Sequence, residues 1–287
     1  MTRKEALACG EERLIKAGID EAGLDAWYLF AEVSGITRAQ YFLDPEQTLS
    51  EECVQKYEAM LAKREKRVPL QYIIGNQEFM GLEFEVSEAV LIPRQDTEIL
   101  IYEAMKLIRA KKAGAAGLSK AGCSVLDVCT GSGCIIISLA KLAGLGRAAA
   151  CDISAEALAV AGRNAQRHEA DVEFYQGDLF EPITDRYDMI VSNPPYIASG
   201  EIEELMPEVR EYEPELALDG GKDGLIFYRR LAKEAGAHLT SGGFVLFEIG
   251  CEQGAAVSEL LLENGYRNIR IIKDYAGLDR VVCAEWE

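Results

Sequence analysis

Asn193-Pro194-Pro195-Tyr196 follows directly on the apolar run "YDMIVS". Each proline fixes φ near −65° and removes a backbone N–H, so carbonyls are the only main-chain hydrogen-bonding groups left at those two positions. The tetrapeptide is therefore a rigid acceptor. The Asn193 side-chain oxygen and the Pro194 carbonyl can hold both hydrogens of a planar NH₂ group, with Tyr196 against its flat face. An amide or aryl amine nitrogen is a poor nucleophile, because its lone pair is delocalised into the attached π system. Two acceptors that bind both hydrogens favour pyramidal nitrogen and aim the lone pair for in-line displacement at carbon. No strong general base is then required, and the two histidines, His168 and His238, fall in helical segments.

A second set of residues lies upstream, in "VLDVCTGSGCIIISLA". Gly131 and Gly133 sit where a strand turns into a helix, and glycine there lets the backbone approach a ligand closely. A dinucleotide-binding turn would need a further small residue at position 136; Ile136 argues against a nicotinamide or flavin cofactor. The next strand ends at Asp152, where an acid can accept both hydroxyls of a ribose. The alternative for this stretch is helix capping, with Ser154 and Glu156 opening "DISAEALAVAGRNAQRH". A third strand ends in "QGDLF", which offers Asp178 and the backbone of Leu179 to an adenine amino group and ring edge. Asp127, at the tip of the first strand, would repel a pyrophosphate but suits the ammonium and sulfonium of S-adenosylmethionine. Three successive strand ends thus favour a methyl donor.

These residues need a sheet to bring them together. From Cys123 onward, short β-rich runs alternate with helical patterns: "CSVLDV", "AAACDI", "DVEFYQ", "YDMIVS", "GGFVLFEI", "NIRIIK" and "RVVCAEW". This alternation marks βαβ units in a largely parallel sheet. The small, polar run at 110–122 before them reads as a mobile connection. Residues 76–92 alternate apolar and polar around Gly81, as a linking hairpin would. The first 75 or so residues read as a helical module. Its clearest helix spans 50–67, with Ser50 as N-cap, Glu51 and Glu52 at the positive dipole end, and Val54, Tyr57, Met60 and Leu61 on one face. Pro69 stops it, and its "KREKR" run reads as a solvated, dipole-matched end.

The chain has 287 residues, 49% of them hydrophobic, enough for one large domain and a smaller one. It is neither disordered nor fibrous. No apolar run approaches the roughly 18 residues of a membrane span, and the first residues lack a signal-peptide core, so a cytoplasmic protein is expected. With 48 acidic against 30 basic side chains the formal net charge is −18, which disfavours nonspecific nucleic-acid binding. Eight scattered cysteines without a CxxC pair make a zinc site or disulfide framework an unsuitable reading.

Over nearly its whole length the chain resembles the peptide-chain release factor glutamine methyltransferases, class I S-adenosylmethionine-dependent enzymes. "PLQYIIGNQEFMGLEFEV", "LIPRQDTE", "LDVCTGSGCI", "DIS", "SNPPYI" and "EYEPELALDGGKDGL" carry the match. The NPPY box alone is shared with amino methyltransferases of DNA and RNA; "IPRQDTE" and the helical module point to the glutamine enzymes. The resemblance implies an α/β, Rossmann-like class I methyltransferase sheet of seven strands, the last antiparallel. It implies a helical substrate-recognition domain at 1–75 that helps bind the release factor, a hairpin linker at 76–95 and a methyltransferase domain at 96–287. It also implies transfer of a methyl group to the glutamine amide of the release factor's Gly-Gly-Gln loop, leaving S-adenosylhomocysteine. By that match Asn193, Pro194, Pro195 and Tyr196 hold the glutamine. Cys129, Thr130, Gly131, Ser132, Gly133, Asp152, Asp178 and Leu179 line the cofactor, and Asn193 touches both ligands. Arg94 and Glu98 shape the pocket rim or form a surface ion pair. No metal, nucleic-acid partner or membrane association is expected, and a monomer is.

Two departures stand out. Cys129 replaces the first glycine of the family's Gly-x-Gly-x-Gly, which implies that this position needs no strongly left-handed backbone. Gln95 replaces a proline and at most loosens a turn. The competing reading is a nucleic-acid amino methyltransferase using the same loop on a flipped adenine or cytosine, which would require a basic groove and a base-reading insertion. A noncatalytic adenosine-binding regulator would have no need of the rigid acceptor.

Overall fold

Five helices occupy the N-terminal stretch: α1 (Arg3–Lys16), α2 (Ala22–Ser34), α3 (Arg38–Leu43), α4 (Glu51–Arg64) and α5 (Leu70–Ile74). The structure is a computed structural model that describes residues 1–114 and 122–287. Local chemistry sets the helix starts: Thr2 and Glu5 form a reciprocal capping box on α1, and the Ser50 hydroxyl accepts the Cys53 N–H on α4. Leu14, Leu29, Phe30, Tyr57 and Leu61 form the core of this unit. α4 ends at Arg64, short of the expected 67, and Arg67 takes a left-handed φ of 71°.

The basic run is not simply a solvated helix end. Tyr57, Leu61 and Arg64 follow one another at helical spacing, so Arg64 lies on the buried face of α4. Its guanidinium donates to Asp25 at 2.7 Å and to Glu208 at 3.0 Å, and Arg67 donates to the same Glu208 oxygen at 3.0 Å. Lys63 and Lys66 remain exposed. Two compact units result, Met1–Asn76 with Met206–Tyr212, and Gln77–Leu205 with Glu213–Glu287. Glu208 joins the first from a later short helix.

β1 (Asn76–Phe79) and β2 (Leu82–Glu85) form a hairpin. Its turn, Met80 and Gly81, is left-handed at both positions, φ 55° and 74°, as a two-residue hairpin turn requires. Glu98, at the start of α6 (Glu98–Gly114), accepts the Met80 N–H at 3.0 Å. It serves the hairpin. Of the run expected to be a mobile connection, residues 110–114 belong to α6 and residues 115–121 lie outside the described residues.

All seven β-rich runs become strands of one sheet. In chain order these are β3 (Ser124–Val128), α7 (Cys134–Ala143), β4 (Arg147–Asp152), α8 (Ala155–Arg167), β5 (Glu173–Gln176), β6 (Tyr187–Ser192), α9 (Pro207–Tyr212), α10 (Ile226–Glu234), β7 (Leu239–Glu248), α11 (Gly254–Glu263), β8 (Arg267–Lys273) and β9 (Asp279–Glu285). The strand order is β5-β4-β3-β6-β7-β9-β8; β9 inserts antiparallel between β7 and β8. The inner strands are buried on both faces, which explains their unbroken apolar runs. Apolar clusters fill both sides of the sheet. After β3 the chain builds outward through β4 and β5, then crosses back to β6 on the other side. The order reverses there, and a crevice opens at the carboxyl ends of β3 and β6.

Candidate active site

A cavity of about 260 Å³ lies at that reversal. Its wall includes Cys129, Thr130, Gly131 and Ser132 from the turn after β3, Asp152 to Ser154 after β4, Gly177 to Leu179 after β5, and Asn193 and Pro195 after β6. Phe227 and Arg230 of α10 and the loop residues Pro214, Leu216 and Ala217 complete one side; Arg94 and Thr97 complete another. Residues separated by a hundred positions thus meet because each follows the end of a strand. Gly133, Pro194 and Tyr196 are not part of the wall.

The turn after β3 is held by its own hydrogen bonds. Gly131 takes φ 54° and donates its N–H to Asp152 Oδ2 at 2.9 Å, while Asp152 Oδ1 accepts from the Ser154 N–H at 2.9 Å. Asp152 therefore ties two cavity loops together, and the cap of α8 falls to Ser154, whose hydroxyl accepts the Ala157 N–H at 3.1 Å. Gly133 takes φ 79°, and a Cβ there would lie 2.9 Å from Ile137 Cδ1 and 3.2 Å from Ala161 Cβ. It allows α7 and α8 to approach. Cys129 overturns the expectation made for it: its φ is 61°, fully left-handed. The backbone must turn here so that Thr130 N–H can reach the Cys151 carbonyl at 3.1 Å, and cysteine carries the strain that glycine would avoid. Leu179 is also left-handed, φ 51°.

Three carboxyl groups surround this end of the sheet without a cationic partner. Asp127 is fully buried; Oδ2 accepts the Thr130 hydroxyl at 2.6 Å, and Oδ1 has no hydrogen-bond partner. Burial pushes its pKa up to about 7. Burial also raises Asp152, against the hydrogen bonds from Ser154 and Gly131. Glu248, at the end of β7, is fully buried and pushed up to about 7 by desolvation. A buried acid with an orphaned oxygen beneath the Thr130 turn suits a cationic ligand, and three acids together disfavour a phosphate. Asp178 differs: Arg230 donates to it at 2.9 Å, so part of its hydrogen-bonding capacity is already used.

At the end of β6, Asn193 Nδ2 donates to Thr97 Oγ1 at 3.4 Å. This commits the donor end of the amide to protein and leaves Oδ1 as an acceptor. Tyr196 turns its hydroxyl to Glu248 Oε1 at 3.5 Å, and its carbonyl accepts Gln253 Nε2 at 2.9 Å. Gly220 and Gly224 of the "DGGKDG" loop lie against this residue; a Cβ on either would fall within 2.7 Å of Tyr196 backbone atoms. The motif packs against the Asn193–Tyr196 loop. Arg94 lines the cavity and pairs with the buried Glu213, which also accepts the Ile92 N–H. The rim therefore uses Glu213 in place of Glu98.

Sequence reading missed Thr97, Glu213, Phe227, Arg230 and Glu248. Only Glu248 had a visible signal, an acid closing the apolar run "GGFVLFEI". Neither histidine lines the cavity: His168 Nε2 lies 2.8 Å from the Glu83 carbonyl, and His238 stacks on Phe180.

Comparison with known proteins gives the following. Residues 5–75 match the PrmC N-terminal domain model, and residues 115–210 match the methyltransferase small domain model. The release factor glutamine methyltransferase of Geobacter sulfurreducens is 42% identical over 270 residues, covering 94% of this chain and 91% of the relative. That of Bacillus subtilis is 38% identical over 285 residues, covering 98% and 96%. The crystal structure of a methyltransferase from Pyrococcus furiosus superposes with a TM-score of 0.55 at 20% identity, covering 78% of this chain and 98% of that one, and supports the fold.

Proposed function

The chain belongs to the release factor glutamine methyltransferases, and from that premise we propose that its acceptor is the glutamine of the Gly-Gly-Gln motif, held by the Asn193-Pro194-Pro195-Tyr196 loop. The enzyme uses S-adenosylmethionine to methylate a glutamine side chain of a release factor. The observation that carries the finer reading is the Asn193 amide, whose nitrogen is engaged by Thr97 and whose oxygen is left to accept.

Bound S-adenosylmethionine supplies an electrophilic methyl group on a cationic sulfur. Its adenosine part is assigned to Asp152, Asp178 and Leu179, and its cationic part to the side of the turn above Asp127. Asn193 Oδ1 and the Pro194 carbonyl hold the two N–H groups of the glutamine, which keeps the amide nitrogen facing the donor and discourages its planar conjugation. The two buried prolines and the half-buried Tyr196 exclude water beneath that loop. With the donor bound, the chemistry it would supply is transfer of its methyl group to the amide nitrogen held by Asn193 and Pro194, the S–CH₃ bond giving way to N–CH₃ and one amide proton going to solvent. No protein base is needed, because the N–H acidity rises sharply once the nitrogen has been alkylated. The helical unit is read as the surface that engages the release factor, and the enzyme as a cytoplasmic monomer. Among the described residues, no helix is long and apolar enough to cross a membrane.

The deciding experiment transfers labelled methyl groups from S-adenosylmethionine to an intact release factor, locates them by fragment mass spectrometry and assays an adenine-rich nucleic acid in parallel. One methyl group on the Gly-Gly-Gln glutamine is expected. Methylated nucleic acid beside unmodified protein would move the acceptor to a base.

A further inference from the structure

Asn164, on α8, is wholly buried and stands outside the cavity wall. Its Oδ1 accepts the Glu85 N–H at 2.7 Å, and its Nδ2 donates to the Glu85 carbonyl at 3.0 Å and to the Ser132 carbonyl at 2.9 Å. One side chain thus satisfies both main-chain groups of Glu85, at the end of β2, and one carbonyl of the turn after β3. These partners fix the residue type. The position needs one acceptor and two donors on a short stem: a carboxylate only accepts, and a hydroxyl has a single hydrogen. The orientation of the amide follows from the same count, since two carbonyls can pair only with its NH₂ end.

The reach of Asn164 depends on Gly133. A Cβ at Gly133 would meet Ala161 of α8 at 3.2 Å, and Ala161 lies three residues before Asn164, on the same helix face. With no Cβ there, α8 comes close enough for the amide to meet the neighbouring Ser132 carbonyl. The Ser132–Gly133 peptide is then held at both ends, because the Gly133 N–H donates to the Thr130 carbonyl at 2.9 Å. Thr130 and Asp152, the other supports of this turn, line the cavity, whereas Asn164 holds it from behind. The far end of the support is also anchored. Arg163 of α8 donates to the Glu85 carboxylate at 2.7–3.1 Å, and Arg167 pairs with Glu83.

We infer that Asn164 is a positioning residue for the methyl donor: it fixes the Ser132–Gly133 peptide against the main chain of β2, so that the turn has its binding shape before the cofactor arrives. This rests on the assignment of that turn to the cofactor. Gly131 and Gly133 give the turn more backbone freedom than other residues would, so ordering it costs more. A support present in the free protein removes that cost from the binding step. The hairpin, 47 positions before Ser132 at its Glu85 end, thereby becomes part of the cofactor site.

Asn164→Leu keeps nearly the same shape and removes all three hydrogen bonds. Calorimetric titration of the folded variant with S-adenosylhomocysteine should give a Kd roughly tenfold higher. With a release factor as substrate, KM for S-adenosylmethionine should rise to the same extent with kcat nearly unchanged. Arg163→Ala, which cuts only the surface pair between α8 and β2, should lower the melting temperature and leave Kd alone. A wild-type Kd in Asn164→Leu, or an equal rise in Arg163→Ala, would overturn the inference, because loosened packing would then account for everything. Should Asn164→Leu fail to fold, hydrogen exchange in the wild type decides: S-adenosylhomocysteine should slow exchange of the Glu85 N–H more than that of the Met80 N–H, which Glu98 holds. Equal effects on the two would be the overturning result. If the amide signals of residues 130–133 do not respond to S-adenosylhomocysteine in the wild type, the placement of the cofactor on this turn falls and the inference falls with it. Responsive signals beside an unchanged Kd in the variant remove the role of Asn164 alone.

Discussion

The helical unit and the carboxyl end of the sheet both bury charged side chains, but they treat them in opposite ways. In the helical unit Arg64 meets Asp25 and Glu208, and Arg67 meets Glu208 as well. Burial alone would push the Glu208 pKa up, yet the Arg67 and Arg64 hydrogen bonds bring it below the ordinary carboxylate value. At the cavity, Asp127 and Glu248 are equally deep but have no salt bridge, and burial wins: both are pushed up to about 7. The first arrangement is what a chain does to keep itself folded. The second costs stability, and under the function proposed above it leaves acids free to meet a cationic ligand.

The comparison breaks most readily at Arg64. Arg64→Ala leaves Asp25 and Glu208 without their shared cation and should cost about 3–5 kcal/mol of unfolding free energy in denaturant titration. A loss no larger than a surface substitution produces would mean that the buried network is dispensable. At the cavity the corresponding deletion should affect rate and not folding. Asn193→Ala is expected to reduce kcat roughly a hundredfold to a thousandfold, about 3–4 kcal/mol of barrier, with the melting temperature and cofactor affinity nearly preserved. Near-wild-type turnover would remove the acceptor role of that loop.

Asp127→Asn separates the two regions by sign. An acid whose folded pKa lies above its unfolded value carries no penalty below the unfolded value, loses stability as pH rises between the two, and carries the full penalty above the folded value. For Asp127 that window runs from about 4 to about 7. The neutral amide should therefore stabilise the free enzyme at pH 8, by an amount on the order of 4 kcal/mol, and change little at pH 4. The same change should weaken S-adenosylmethionine binding and flatten its rise in affinity between pH 6 and 8, measured calorimetrically. Destabilisation at pH 8 would show that the acid has a hidden partner. The smallest effect is assigned to Asp152→Ala, about tenfold weaker cofactor binding, or ~1.4 kcal/mol. Unchanged affinity would reduce Asp152 to a tie between the loops that begin at Gly131 and Ser154.

How legible each feature was in the sequence follows from how local it is. The acceptor tetrapeptide, the glycine turn and the seven strands were visible because proline and glycine restrict φ by themselves and buried parallel strands are apolar throughout. Ser50 and Ser154 announced their helices for the same reason. Cys129 was misjudged because nothing in a cysteine signals a left-handed backbone; the demand comes from the Thr130 to Cys151 hydrogen bond across β3 and β4. The solvated reading of "KREKR" failed at Arg64 because the compensating acids stand 39 and 144 positions away.

The residues thus determined which chemistry was possible: an acceptor rigid enough for an amide, a turn open enough for a cofactor, and acids in place of the cations that a phosphate would need. The fold decided which of those residues meet. Thr97 supports Asn193, Glu248 stands behind Tyr196 and Glu213 replaces Glu98 at Arg94, because strand register and the reversal of strand order at β3 and β6 place distant positions side by side. Backbone constraints act within a few residues and are written in the sequence, whereas side-chain partnerships are set by packing across the sheet and exist only once it has closed.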